Sequence, residues 1–158
     1  MQVRFPPSVK PPIAIASPTA HTWPPHVVYP CATISVGVSV VQVKTPGGLG
    51  SGFIIREDGH LITNFHVIEG ETRISVEVYH QRDGQLERKT YRKVRIVAMN
   101  KFADLALLRI EDEGVKFHRV PLAADPAQLE VGERVFAIGS PLGLERTVTE
   151  GIVSTRKH

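Results

Sequence analysis

Two stretches of the chain carry side chains able to move a proton. Gly48–Glu69, GLGSGFIIREDGHLITNFHVIE, delivers His66 near its end, and Ala103–Ile110, ADLALLRI, sets Asp104 at the head of an apolar run. A hydroxyl is a poor nucleophile at neutral pH and needs a nearby base, and imidazole, with an ordinary pKa of about 6.5, is the side chain suited to that task. A carboxylate beside the imidazole holds it in one tautomer and stabilises the imidazolium as it forms. His66 is therefore the candidate base and later acid, and Asp104 its candidate orienter.

Strands must position this pair. Ile34, Val36, Val38 and Val40 alternate with smaller or polar neighbours in Thr33–Val43, which predicts a half-buried strand. Phe53–Arg56 and His60–Thr63 flank Asp58-Gly59, a tight-turn pair that predicts a hairpin running straight into His66. Arg73–His80 alternates and turns at Arg82-Asp83-Gly84, with Tyr91–Met99 expected as its return strand. Leu105–Ile110 reads as a strand buried on both faces. Val120–Ala123 is expected as a short closing strand, and Arg134–Ile138 with Thr147–Thr155 as one more hairpin across GSPLGLE. The pattern predicts an all-β chain: one closed barrel and the first hairpin of another, with that hairpin's strand edges unpaired.

Composition narrows the class. The 158 residues are 42% hydrophobic and 22% charged, with 13 Gly and 12 Pro, a balance that suits short strands and turns. A formal net charge of +3 is too mild to call for a nucleic-acid or membrane partner, and no apolar run reaches the roughly 20 residues of a spanning helix. Cys31 is the only cysteine, so no intrachain disulfide is possible, and it is read as a small buried hydrophobe. Residues 1–32 form a proline-rich arm, and Pro6, Pro7, Pro11 and Pro12 spoil an apolar signal core before the short IAIA stretch, so no export signal is predicted. The arm is expected to be extended and poorly packed, ordered at most by docking Trp23 or Tyr29.

Other residues invite chemistry and fail simple tests. Ser51 in GSG and Ser140 in GSP lack the glycine spacing of a nucleophile elbow and are read as structural. Gly47, Gly48, Gly50 and Gly52 precede no GK[ST] and open no helix, so they are assigned to strand bends and close backbone approach. His21, His26, His60, His80, His118 and His158 show no metal-ligand spacing and are read as surface residues; no cofactor or metal is called for. Arg88, Lys89, Arg92, Lys93 and Arg95 are read as a solvated basic face.

Three separated runs in order, GLGSGFIIREDGHLITNFHVIEG, DLALLRI and VGERVFAIGSPLGLERTVTEGIVS, resemble the trypsin-like protease domain of the HtrA/Deg family of serine endopeptidases. The resemblance covers roughly Ile34 to the C-terminus. It implies a double β-barrel with the active site between barrels: residues 33–123 as the first barrel, 124–133 as a linker and 134–158 as the start of the second. It places the family's catalytic histidine on His66 and its aspartate on Asp104. The nucleophilic serine belongs to a Gly-Asn-Ser-Gly-Gly loop of the second barrel, and nothing in these residues matches it. The implied function is ATP-independent proteolysis of unfolded or misfolded polypeptides, with a possible homotrimer and an extracytoplasmic, periplasmic compartment. Without that loop the chain alone is expected to be inactive. The alternatives are a non-catalytic protease-like barrel that binds proteins or acts as a chaperone-like module, and a small barrel adaptor whose histidine and aspartate are incidental.

Overall fold

The computed structural model describes residues 2–3, 38–82, 85–122, 130–139 and 147–155. Its strands are β1 (Gln2–Val3), β2 (Val40–Thr45), β3 (Gly48–Ile54), β4 (His60–Thr63), β5 (Ser75–Arg82), β6 (Gln85–Tyr91), β7 (Val94–Asn100), β8 (Leu105–Ile110), β9 (Arg134–Gly139) and β10 (Thr147–Ile152). One turn of helix, α1 (Phe65–Ile68), follows β4.

Seven strands form one antiparallel sheet in the order β6-β5-β2-β3-β4-β8-β7. The edge strands β6 and β7 are joined in sequence by Arg92 and Lys93 alone, so Tyr91 and Val94 lie at most about 11 Å apart. A sheet whose opposite edges are tied so closely must curl on itself. The amide of Glu111, just past β8, reaches the Lys93 carbonyl at 2.8 Å beside this tie. Inside the curl, Val41, Val43, Ile54, Leu61, Val76, Val78, Leu108, Ile110 and Phe117 form the core.

The β3–β4 hairpin forms as its turn residues predict. Gly59 has φ +91°, donates to the Arg56 carbonyl at 3.1 Å, and its missing Cβ leaves room for the Ile110 carbonyl, which a methyl would approach to 3.0 Å. Gly50 has a different duty. A Cβ there would lie 2.5 Å from Val67 Cγ2, so glycine lets the helical turn beside His66 settle onto β3.

Other strands depart from expectation. The partner of β5 is β6, which ends at Tyr91, whereas Val94–Met99 of the expected return strand lies in β7 and pairs with β8. The run QLERKT shows no alternation because Gln85 through Thr90 are all exposed; charge on an edge strand discourages pairing with other chains. β8 buries one face rather than both. Ala106, Leu108 and Ile110 face the core, whereas Leu105 is 48% exposed and Leu107 and Arg109 are half-buried.

No strand forms over residues 120–122, and residue 123 lies outside the described residues. Val120 instead makes one backbone bond to Ile54 and packs with Val40 and Ile138, a small cluster that joins the curled sheet to the second one. That second sheet is the expected β9–β10 hairpin, in register from Thr147↔Gly139 to Ile152↔Arg134. Its β9 edge is not bare: Gln2 and Val3 of the proline-rich arm pair with Ala137 and Phe136. Trp23, Tyr29, Cys31 and the Arg82-Asp83-Gly84 turn fall wholly or partly outside the described residues.

Leu108 is fully buried, so Leu108→Ala is expected to lower stability by about 2–5 kcal/mol in urea unfolding. Gly50→Ala is expected to cost about 1–3 kcal/mol by displacing Val67, and to shift the His66 ring resonances. Adding Val67→Ala should return those resonances; shifts that persist would show that Gly50 does not set the position of α1.

Candidate active site

The site is built where β4 and β8 run side by side. Their register, from His60↔Arg109 to Thr63↔Ala106, continued past the end of β4 sets Phe65 opposite Asp104, so His66 and Asp104 meet although 38 positions separate them. Thr63 donates its hydroxyl to the Ser51 carbonyl at 2.8 Å, fixing the end of β4 to β3. Asn64 stays extended, at φ −75° and ψ 144°, and α1 begins after it. Ile68 buries one side of that turn, Gly70 ends it at φ +75°, and the Gly47 amide donates to the Glu71 carboxylate at 2.8 Å. The turn carrying His66 is thus held from below.

Asp104 arrives from a tight turn. Its amide donates to the Lys101 carbonyl at 3.2 Å, and the Ala103 amide to the Asn100 side chain at 3.0 Å. Among the described residues it is the one non-glycine residue with positive φ, +51°. The left-handed region costs an ordinary L-residue roughly 1–2 kcal/mol and is tolerated best by aspartate and asparagine. In this conformation both its carbonyl and its carboxylate meet α1.

The two sequence candidates are in direct contact. His66 Nδ1 lies 2.8 Å from Asp104 Oδ2, and the His66 backbone amide donates to Oδ1 at 2.9 Å. An ionised carboxylate only accepts, so Nδ1 carries a proton, and in the neutral ring the lone pair is left on Nε2. The Phe65 amide donates to the Asp104 carbonyl at 3.2 Å. The His66 amide first, and then its ring, hold the Asp104 carboxyl below the usual carboxylate range, with desolvation opposing. Both side chains are open to solvent, 68% and 44% exposed, so an approaching hydroxyl meets no wall among the described residues.

Asn64 was not among the sequence candidates. Its side-chain amide lies 3.1 Å from Asp104 Oδ2 and 3.2 Å from the Asp104 carbonyl. The available signal was an asparagine at the first position before a helix, which ordinarily reads as a cap.

A second histidine–aspartate contact exists and differs in kind. His60 Nδ1 lies 2.7 Å from Asp58 Oδ1, two residues away in the hairpin turn, and Asp58 also pairs with Arg56 at 3.3 Å. The His60 side chain is only 17% exposed, so this contact fastens a turn. His80 is likewise half-buried rather than fully exposed: its Nε2 meets the Tyr91 hydroxyl at 2.8 Å, and burial lowers its pKa. Among the described residues no group of three His, Cys, Asp or Glu side chains could hold a metal ion. The basic face is partly neutralised, with Lys89 3.2 Å from Asp112 and Arg95 2.9 Å from Glu111. Ser140 lies outside the described residues.

Comparison with known proteins bears on the family. The family model described as a trypsin-like peptidase domain matches residues 50–158. The chain is 37% identical over 112 residues to Protease Do-like 1, chloroplastic, of Arabidopsis thaliana, covering 71% of this chain and 24% of that protein. It is 41% identical over 117 residues to Serine protease HTRA1 of Xenopus laevis, covering 73% and 23%. The crystal structure of Deg5 superposes with a TM-score of 0.68 at 35% identity, covering 79% of this chain and 61% of that one. The chain therefore spans about a quarter of the length of these curated relatives. A curled antiparallel sheet, an imidazole bonded to a carboxylate across its β4–β8 seam, and these likenesses place the chain in the trypsin-like peptidase domain family, with part-length likeness to HtrA/Deg proteins.

Proposed function

We propose that this chain supplies the base and its orienter to a serine-type endopeptidase of the HtrA type. The observation that carries this reading is the 2.8 Å contact between His66 Nδ1 and Asp104 Oδ2, made on a carboxylate that the His66 amide also holds. In the reaction, His66 Nε2 takes the proton of an attacking serine hydroxyl and returns it to the leaving amine. Asp104 keeps the ring in the productive tautomer and stabilises the imidazolium formed in between. No serine of this chain is assigned as nucleophile. That hydroxyl, and the backbone amides that would receive the oxyanion, belong to a Gly-Asn-Ser-Gly-Gly loop of a second barrel.

On this reading residues 33–123 make the first barrel, 124–133 the linker and 134–158 the opening of the second, with 1–32 as an arm. Unfolded or misfolded polypeptides are the proposed substrates and a homotrimer the proposed assembly. Several relatives are named as probable periplasmic DegP-like serine endoproteases, which supports an extracytoplasmic setting. Among the described residues, no helix is long and apolar enough to cross a membrane.

The chain alone is expected to leave casein uncleaved. Continued by a second barrel bearing the serine loop, it is expected to cleave casein and to lose on the order of 10⁴- to 10⁶-fold in turnover on His66→Ala. Cleavage that is indifferent to His66→Ala would overturn the assignment, and cleavage by residues 1–158 alone that His66→Ala abolishes would relocate the nucleophile.

The lowered pKa of Asp104 fixes the sign of one pH effect. An aspartate depressed in the folded state contributes stability that is present above its unfolded value of about 3.9 and is lost as pH falls through the lower folded value. Carbon-13 titration of the Asp104 carboxyl is therefore expected to show a midpoint below about 3.9, with the His66 contact persisting until that point. A midpoint at or above the ordinary value would contradict the geometry.

A further inference from the structure

Asn64 stands at the head of α1, where an asparagine ordinarily turns its side-chain oxygen back to accept an amide of the first turn. It makes no such bond here. The amide it would cap, that of His66, is taken by Asp104 Oδ1 at 2.9 Å, and the Phe65 amide is taken by the Asp104 carbonyl at 3.2 Å. Asp104 thus caps α1 from the turn that precedes β8, and the Asn64 side chain is released from that duty. Its Nδ2 group turns to Asp104 and lies within hydrogen-bond distance of both the carboxylate, at 3.1 Å, and the backbone carbonyl, at 3.2 Å.

One amide thereby links the two ends of Asp104 that can move independently. Rotation about the Asp104 side chain would swing the carboxylate away from the imidazole, and relaxation of its left-handed backbone would withdraw the carbonyl from Phe65. Donating to both opposes each movement. It also donates to Oδ2 from a second direction, which helps fix that oxygen relative to His66 Nδ1. A neutral amide does this without adding a charge that would compete with the imidazolium.

We infer that Asn64 is a positioning residue of the site: it locks the rotamer and backbone of Asp104 so that the carboxylate meets His66 Nδ1 while capping α1 in place of Asn64 itself. The catalytic meaning rests on the reading of His66 and Asp104 given above, but the lock does not depend on proteolysis. Asn64 bonding also contributes, after the two His66 contacts, to holding the Asp104 carboxyl low.

The test uses the chain as it stands. In Asn64→Ala, carbon-13 titration of the Asp104 carboxyl should show its midpoint moved upward, and the His66 Nδ1 proton resonance should broaden or shift upfield. Core amide resonances such as those of Val76 and Leu108 should stay in place. Asn64→Asp, isosteric but without the donor and carrying a like charge, should move the Asp104 midpoint further up. An Asp104 midpoint and an Nδ1 proton resonance both unmoved by Asn64→Ala would overturn the inference.

Should the variants fail to fold, the wild-type chain decides: the Asn64 side-chain amide resonances should shift with the same midpoint as Asp104, and their indifference to that titration would overturn the lock. Proteolysis unaffected by His66→Ala would refute the proposed function and leave this inference intact. An unmoved Asp104 titration would do the reverse.

Discussion

The structure around the site depends on one carboxylate doing two jobs. Asp104 satisfies backbone donors at the start of α1 and accepts the proton-bearing nitrogen of His66. A single turn of helix is too short to be stable by itself, because nucleation fixes several dihedral angles for very few hydrogen bonds. Here the turn exists because an aspartate 38 residues away, just before β8, completes it. The imidazole and its partner are consequently not two side chains that happen to meet. The contact that orients the ring is part of what folds the segment carrying the ring.

The surrounding sheet makes that contact rigid. β4 lies between β3 and β8, so its end is tied on one side by Thr63 to Ser51 and on the other by the register with Ala106. Beneath α1, Gly50 admits Val67, and Ile68 enters the core. Lys101 adds a solvent-exposed bridge to Glu69 at 2.7 Å, a contact of small energetic weight that nonetheless spans the same seam. Rigid strands, rather than loops, therefore set the geometry of a site that is itself open to water.

What could be read in the sequence followed from local rules. Asp58-Gly59 announced its turn because positive φ at that point needs glycine, and the alternation in β5 announced a half-buried strand. His66 and Asp104 were legible as residue types that suit one chemistry. Gln85–Tyr91 was not legible, because an edge strand exposed over nearly its whole length leaves no apolar period to find. Leu105–Ile110 misled for the opposite reason: its outward leucines are only partly covered, so an apolar run concealed a one-sided strand. Asn64 was hidden because its local role as a cap is displaced by a tertiary contact. No spacing rule reveals which of two side chains will occupy a shared donor.

The 38-residue separation across the β4–β8 seam also orders events in time. Between the two strands lie β5, β6 and β7, and closing so long a loop is unfavourable until those strands are organised. A nascent polypeptide that has emerged only as far as β7 carries the imidazole without its acidic mate. The acid–base couple therefore comes together only as the β4–β8 seam pairs, which ties maturation of the half-site to completion of that sheet.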